Sequence, residues 1–281
     1  MNYYKIIGLE REPFYTSPDP SFFYDSPKHH NALMKLMISI RLKRGLSVVF
    51  GDVGTGKTTL SRKLFQMMKE RQDILINMIL DPTFPTEELF LQALLRTFKI
   101  ELSTQKTSIL DYKAAIKNFL FQKCVEENKV VVLLIDEAQK LNEVALESLR
   151  ILLNYETNDC KMLQLVLLSQ LELLPKIQAM NNFWDRIGMK YVLQPLNEEE
   201  TKQMINFRLE QAGYKFGIGL FSDEAIAEIY KYTKGYPRKI AALCHEALKE
   251  LVMESKLFVE ADLIKHLIEE EMSLKGEMVR G

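Results

Sequence analysis

The apolar run Ser47-Val48-Val49-Phe50 passes directly into GDVGTGKTTL, Gly51 to Leu60, and that junction admits few folds. A short apolar run bounded by turn residues is a strand buried on both faces. The loop after it holds three glycines and a lysine among small residues. Structural need does not explain this, because glycine in a connection only loosens the chain. The loop fits GxxxxGK[ST] between a strand and a helix, the setting in which backbone N–H groups turn inward and cradle phosphate. The helix that opens at Lys57 adds its positive end. Gly51, Asp52, Val53, Gly54, Thr55, Gly56, Lys57, Thr58 and Thr59 are therefore the expected nucleotide contacts. Lys57 reaches the β- and γ-phosphates, and the Thr58 hydroxyl serves Mg²⁺. The plainer alternative is a glycine-rich turn with no ligand.

A second motif carries the complementary half of the chemistry. Val131-Val132-Leu133-Leu134-Ile135 is another fully apolar strand, and it ends in Asp136-Glu137. Asp136 is expected to hold the Mg²⁺ shell, and Glu137 to polarise the attacking water as general base. Alone, a strand followed by two acids is also a common helix entry with solvated carboxylates. Together with the phosphate loop it predicts an ATPase with ATP and Mg²⁺ as cofactors.

The rest of the chain alternates in the same way. Strands are predicted at Leu46–Phe50, Ile74–Leu80, Val130–Ile135, Leu163–Ser169 and Lys190–Leu193. Helices are predicted at Asn31–Arg44, Lys57–Arg71, Thr86–Phe98, Ile109–Glu127 and Asn142–Tyr155, with a short one near Glu172. Buried strands alternating with helices give an α/β core, a parallel sheet covered on both faces in three αβα layers. After Pro195 four helices follow without a convincing strand: Asn197–Gln211, Ser222–Tyr232, Pro237–Glu254 and Val259–Glu270. Asn197, Ser222 and Asp223 suit N-caps, and Gly213 and Gly235 suit stops. The expected organisation is a lead-in and first helix packed on the core (1–45), the core (46–195) and a small helical lid (196–281).

Composition bounds the partners. Apolar residues are 47% of 281, enough for a core. Lys and Arg number 37 against 38 Asp and Glu, a net charge of -1 that argues against constitutive binding to nucleic acid. Cys124, Cys160 and Cys244 are widely spaced, odd in number and without a metal pattern. They read as reduced thiols of a cytoplasmic protein. No signal core follows Met1, and Met162–Leu174 is too short and too polar to span a bilayer. Any membrane contact is expected through a partner.

The motifs in combination resemble the AAA+ ATPases of the ExeA/GspA (general secretion pathway protein A-like) family. The resemblance runs through GLEREPFYTSPDPSFFYDSPKHHNAL, GDVGTGKTTL, LLIDEAQKL, LESLRILLNYET, LQLVLLSQLEL, DRIGMKYVLQPLNEEET and GYPRKIAALC, nearly the whole chain. It implies a P-loop AAA+ core with a helical lid, and it assigns roles that spacing alone does not. Gln170 resembles the first sensor, reading the γ-phosphate or the water. Arg186 in FWDRI resembles an arginine finger acting in trans on a neighbour's ATP, which implies a homo-oligomer. Arg238 in GYPRKI resembles the second sensor on the lid, a further catalytic and nucleotide-contacting group. His29 and Tyr24 fall where the family lines the adenine pocket. Asp81 stands where relatives carry Asn; it either gates Glu137 or merely turns the chain before Pro82. Arg150, Asn154 and Glu156 are also family-like, with a structural role at a subunit interface, or salt bridging, standing equal to catalysis.

The resemblance implies a motor that couples nucleotide state, through the angle between core and lid, to assembly of a secretion or pilus-type complex at the membrane. Full-length relatives carry a membrane span and a peptidoglycan-binding module beyond the lid, so the motor is what transfers. Two alternatives stand beside it. One is a transposition regulator of the TnsC/TniB kind, which binds DNA under ATP control. Its basic clusters would be Arg41-Lys43-Arg44 and Arg62-Lys63, and the near-neutral charge disfavours it. The other is a nucleotide-gated scaffold with little turnover, against which the intact Asp136-Glu137 pair argues.

Overall fold

In the computed structural model, which describes residues 3–102, 108–158, 161–215 and 219–278, five parallel strands form one sheet. They are β1 (Leu46–Gly51), β2 (Ile74–Ile79), β3 (Val130–Ile135), β4 (Leu163–Ser169) and β5 (Ile187–Leu193). Their spatial order is β2-β3-β4-β1-β5. Every residue of β1 and of β4 is buried, as is β3 from Val131 onward, which is why these runs carry no polar alternation. Leu46 to Phe50 lie opposite Leu165 to Ser169, and Val131 to Ile135 lie opposite Leu163 to Leu167. The carboxyl ends of β3, β4 and β1 therefore open along one edge of the sheet. Asp136, Gln170 and Asp52 leave the strands there. β1 has β4 on one side and β5 on the other, and in open α/β sheets ligands bind where the order reverses in this way.

This strand-bearing unit comprises residues 27–53 and 57–193. Its helices are α2 (Pro27–Arg41), α3 (Lys57–Lys69), α4 (Glu87–Phe98), α5 (Ile109–Phe121), α6 (Glu143–Leu152), α7 (Leu173–Ala179) and α8 (Asn181–Trp184). α7 is the short helix expected near Glu172, and α8 comes after it. Thr86, Ser108 and Asn142 cap α4, α5 and α6 by accepting backbone N–H groups. Phe90, Leu94, Ile116 and Leu146 pack with Leu133 and Leu165 in one core.

The second unit holds the described residues among 1–26, 54–56 and 194–281. It contains α1 (Tyr3–Ile6), α9 (Glu198–Gln211), α10 (Asp223–Thr233), α11 (Pro237–Met253) and α12 (Ala261–Met278). Asn197 caps α9 in a reciprocal box with Glu200, and Ser222 caps α10. Leu9, Phe14 and Phe22 of the lead-in share a core with Ile205, Leu209 and Leu248. The fully buried Phe14 meets Phe221 edge to face, with centroids 5.9 Å apart.

Several expectations are corrected. The lead-in was expected on the strand-bearing core. It packs instead within the helical unit, while the helix after it begins at Pro27 and belongs with the sheet. β5 begins at Ile187 rather than Lys190. Its burial alternates, and its register shifts by one residue at Gly188, so no apolar run announces it. The helix expected over 109–127 ends as an α-helix at Phe121 and continues as a π-turn over Gln122–Glu126. Cys124 and Cys244 are buried thiols in no disulfide among the described residues, and Cys124 Sγ donates to the Met162 carbonyl at 2.9 Å; Cys160 lies outside the described residues. Among the described residues no helix is long and apolar enough to cross a membrane.

Candidate functional site

The loop after β1 sets Lys57 first. Its side chain is buried, and Nζ donates to the carbonyl oxygens of Gly51 at 2.8 Å and Asp52 at 2.9 Å. Burial pushes this ammonium below its ordinary value, against the opposing pull of Glu137, Asp136 and Asp52. A desolvated ammonium held by carbonyl oxygens beside a loop of backbone amides is arranged to pair with an anion. Gly54 and Gly56 have φ of 83° and 97°. At Gly54 a Cβ would also come 3.1 Å from the Arg238 Cβ, so a larger residue meets both strain and contact there. Thr55 is fully buried, Asp52 and Val53 are exposed, and Thr58 and Thr59 are half-buried.

Asp136 follows β3 and is buried. Burial raises its carboxyl above the usual carboxylate range, and hydrogen bonds from the Glu137 N–H, Thr58 and Ser61 oppose that rise. The Glu137 N–H donates to Oδ1 at 2.9 Å, and Ser61 Oγ lies 3.3 Å from Oδ2. Ser61 stands one turn after Lys57 on α3. The first turns of that helix thus bring Lys57, Thr58 and Ser61 to the end of β3. Glu137 is half-buried, with left-handed φ 53° and ψ 36°. For a residue with a Cβ this costs on the order of 1 kcal/mol and is held by the surrounding structure.

The donor set suits a magnesium nucleotide. One hydroxyl, Thr58, and one carboxylate, Asp136, are hydrogen-bonded to each other at the mouth of the loop. Mg²⁺ takes one or two protein oxygens and completes its shell with phosphate and water. Lys57 and the helix end could supply charge for phosphates.

The remaining predicted residues distribute as follows. Gln170 is half-buried just past β4, and its backbone N–H donates to Gln139 Oε1 at 3.1 Å. Arg186 lies at the other end of the sheet, before β5, where Nη1 donates to Asn154 Oδ1 and lies 3.5 Å from the Arg150 carbonyl. Arg150 forms a bidentate pair with Glu147, and Glu156 pairs with Lys161, so salt bridging is what these family-like residues do within the chain. Within the helical unit, the Arg238 backbone N–H donates to Gly54 O at 3.2 Å, and its side chain is exposed. His29 is buried on α2. In the helical unit Tyr24 donates to Gln203 Oε1 at 2.5 Å and packs on Phe207. Asp81 accepts from Thr83 at 3.0 Å and from Lys140 at 3.2 Å.

Sequence reasoning missed Ser61 and Gln139. Ser61 is four residues after Lys57, hence on the same helix face. Gln139 follows the acid pair by two, a position with no periodic signal.

The AAA domain family matches residues 40–177. General secretion pathway protein A of Aeromonas hydrophila is 34% identical over 248 residues, covering 88% of this chain and 44% of that protein. The chain thus spans less than half the length of that relative. The Aeropyrum pernix ORC2 protein, solved in ADPNP–ADP complexes, superposes with a TM-score of 0.68 at 17% identity over 94% of this chain and 73% of that one. The Thermotoga maritima RuvB Holliday junction branch migration motor gives 0.57 at 17% identity over 85% and 68%. These two likenesses establish the shared fold: an α/β P-loop core with a helical lid.

Proposed function

This chain belongs with the AAA ATPases that resemble general secretion pathway protein A, and from that premise we propose that it binds ATP with Mg²⁺ and hydrolyses it. The observation that carries the reading is the buried Lys57 facing Asp136 and Glu137 within one unit, with Thr58 and Ser61 bonded to the same carboxylate. Mg²⁺, when bound, screens the phosphate charge and polarises the bond to be broken. The loop amides and Lys57 hold the β- and γ-phosphates. The Thr58 hydroxyl would hold the metal, with Asp136 supporting its shell. Glu137 takes the proton of the attacking water. Gln170 is the first sensor and Arg238 the second. Arg186 serves the ATP of a neighbouring copy in a homo-oligomer.

The cellular role we propose is to couple that cycle to assembly of a secretion or pilus-type complex. The support is the 34% identity to general secretion pathway protein A. Phosphate release measured with magnesium, with EDTA, and with added double-stranded DNA tests both levels. Magnesium-dependent turnover indifferent to DNA is the expected result. No turnover refutes the enzyme, and salt-sensitive stimulation by DNA points to the transposition regulator instead.

A further inference from the structure

One amide side chain spans the two strand ends that the reaction uses. Glu137 leaves β3 in a left-handed conformation, and its Oε2 accepts from Gln139 Nε2 at 2.6 Å. At the other end of the same amide, Gln139 Oε1 accepts the Gln170 backbone N–H at 3.1 Å and lies 3.3 Å from Ser169 Oγ. The amide has only one workable orientation. Turned over, it would set a carbonyl against a carboxylate and an NH₂ against an N–H. The Gln139 carbonyl in turn accepts from Lys176 Nζ on α7 at 3.3 Å, which fastens the turn that carries the side chain. Asp81, at the end of β2, is engaged by Lys140 and Thr83 and does not compete for Glu137.

We propose that Gln139 is a positioning residue for hydrolysis: it aims the Glu137 carboxylate and ties it to the backbone at the end of β4. The inference rests on the reading of Glu137 as general base. A half-buried carboxylate on a left-handed residue has several side-chain directions open to it, and a fixed N–H donor selects one. The same amide joins the base to the strand end, with its acceptor end on the Gln170 N–H and its donor end on the Glu137 carboxylate. The link is one side chain long and lies inside one unit.

Two variants of the full chain separate aiming from bracing. Gln139→Leu removes both ends of the link. Gln139→Glu keeps the length and the acceptor for the Gln170 N–H but sets a carboxylate against Glu137. Turnover and ATP affinity are measured for each with magnesium, alongside the thermal midpoint. Both variants are expected to lose about ten- to hundred-fold in kcat at unchanged Kd. A residue that only braces the turn leaves Gln139→Glu turning over like the parent, and that result overturns the proposal. So does a Kd that weakens in step with kcat. If Gln139→Leu fails to fold, Gln139→Glu alone decides. A parent chain without magnesium-dependent turnover overturns the reading of the site and this inference together. An active parent with indifferent Gln139 variants overturns the inference alone.

Discussion

Ser61 Oγ lies 3.3 Å from Asp136 Oδ2 and 2.8 Å from the Thr58 carbonyl oxygen, so one hydroxyl, its single proton shared between two acceptors, stands between the helix that opens with Lys57 and the strand that ends in the acid pair. The phosphate loop and the acids approach from strands that are not adjacent, since β4 lies between β1 and β3. What closes the distance is the helix. Its first turns pass across the end of β4 and deliver Lys57, Thr58 and Ser61 to β3.

Lys57→Ala is expected to weaken ATP binding about hundred-fold, because a desolvated charge-assisted contact to phosphate is worth about 3 kcal/mol. Titration with a fluorescent ATP analogue measures this. The fold should survive, since the ammonium is buried at a cost that alanine does not bear. A variant that keeps parent affinity removes Lys57 from the phosphate site.

The core of this site was readable in the sequence because each half is a fixed string beside a fully apolar strand. Val131 to Ile135 and Leu163 to Ser169 are buried on both faces, and their ends could be located to the residue. β5 was cut short because Gly188 shifts its register and its exposed positions carry Lys190 and Val192. The destination of the lead-in was not readable at all. Phe14 and Phe22 announce burial, but an aperiodic aromatic cluster does not say against which surface. Gln139 escaped notice because its contact with the Gln170 N–H joins residues far apart in the chain.

Gly235→Ala tests the turn that leads into α11. Gly235 has φ 76°, and a Cβ there would stand 1.9 Å from the Leu196 carbonyl oxygen, a backbone atom that cannot move aside. The Gly235 carbonyl also accepts the Leu196 N–H at 2.9 Å, so relieving the clash breaks that bond. Urea unfolding should show a loss of about 3 kcal/mol or more. A loss under about 1 kcal/mol would show that the turn is not fixed in this form.

Asp136→Asn should separate function from stability. The native carboxyl titrates above its unfolded value because burial disfavours its charge. An acid raised on folding contributes stability that is present below the unfolded pKa and lost as pH rises through the folded one. The asparagine variant avoids that loss. Its thermal midpoint should exceed the parent's at pH 7 to 8, and the two should converge as the pH falls below the raised value. Both are compared without nucleotide or metal. Magnesium-dependent ATP binding should meanwhile weaken in the variant at every pH. A midpoint difference that stays constant across the range would mean that Asp136 is not the titrating group.

Arg186 provides the test of assembly. Within its own chain the guanidinium donates to Asn154 and lies near the carboxylates of Glu147 and Glu156, at the end of the sheet away from the phosphate loop. A residue so placed does not touch its own chain's Lys57, and the proposed role in trans would carry its effect to a neighbour's ATP. Arg186→Ala is expected to keep ATP affinity and lose at least about ten-fold in turnover, since fingers acting in trans contribute far more than that. Glu137→Gln is expected to bind ATP and be equally slow. Mixed in equal amounts, the two inactive proteins should recover activity, because an interface pairing an intact base with an intact finger is remade. Random mixing puts about one quarter of interfaces in that state if the finger works in trans. Phosphate release from the mixture, with size-exclusion chromatography showing that mixed oligomers form, measures it. Mixed oligomers without recovery would mean that the finger and the base never meet across an interface.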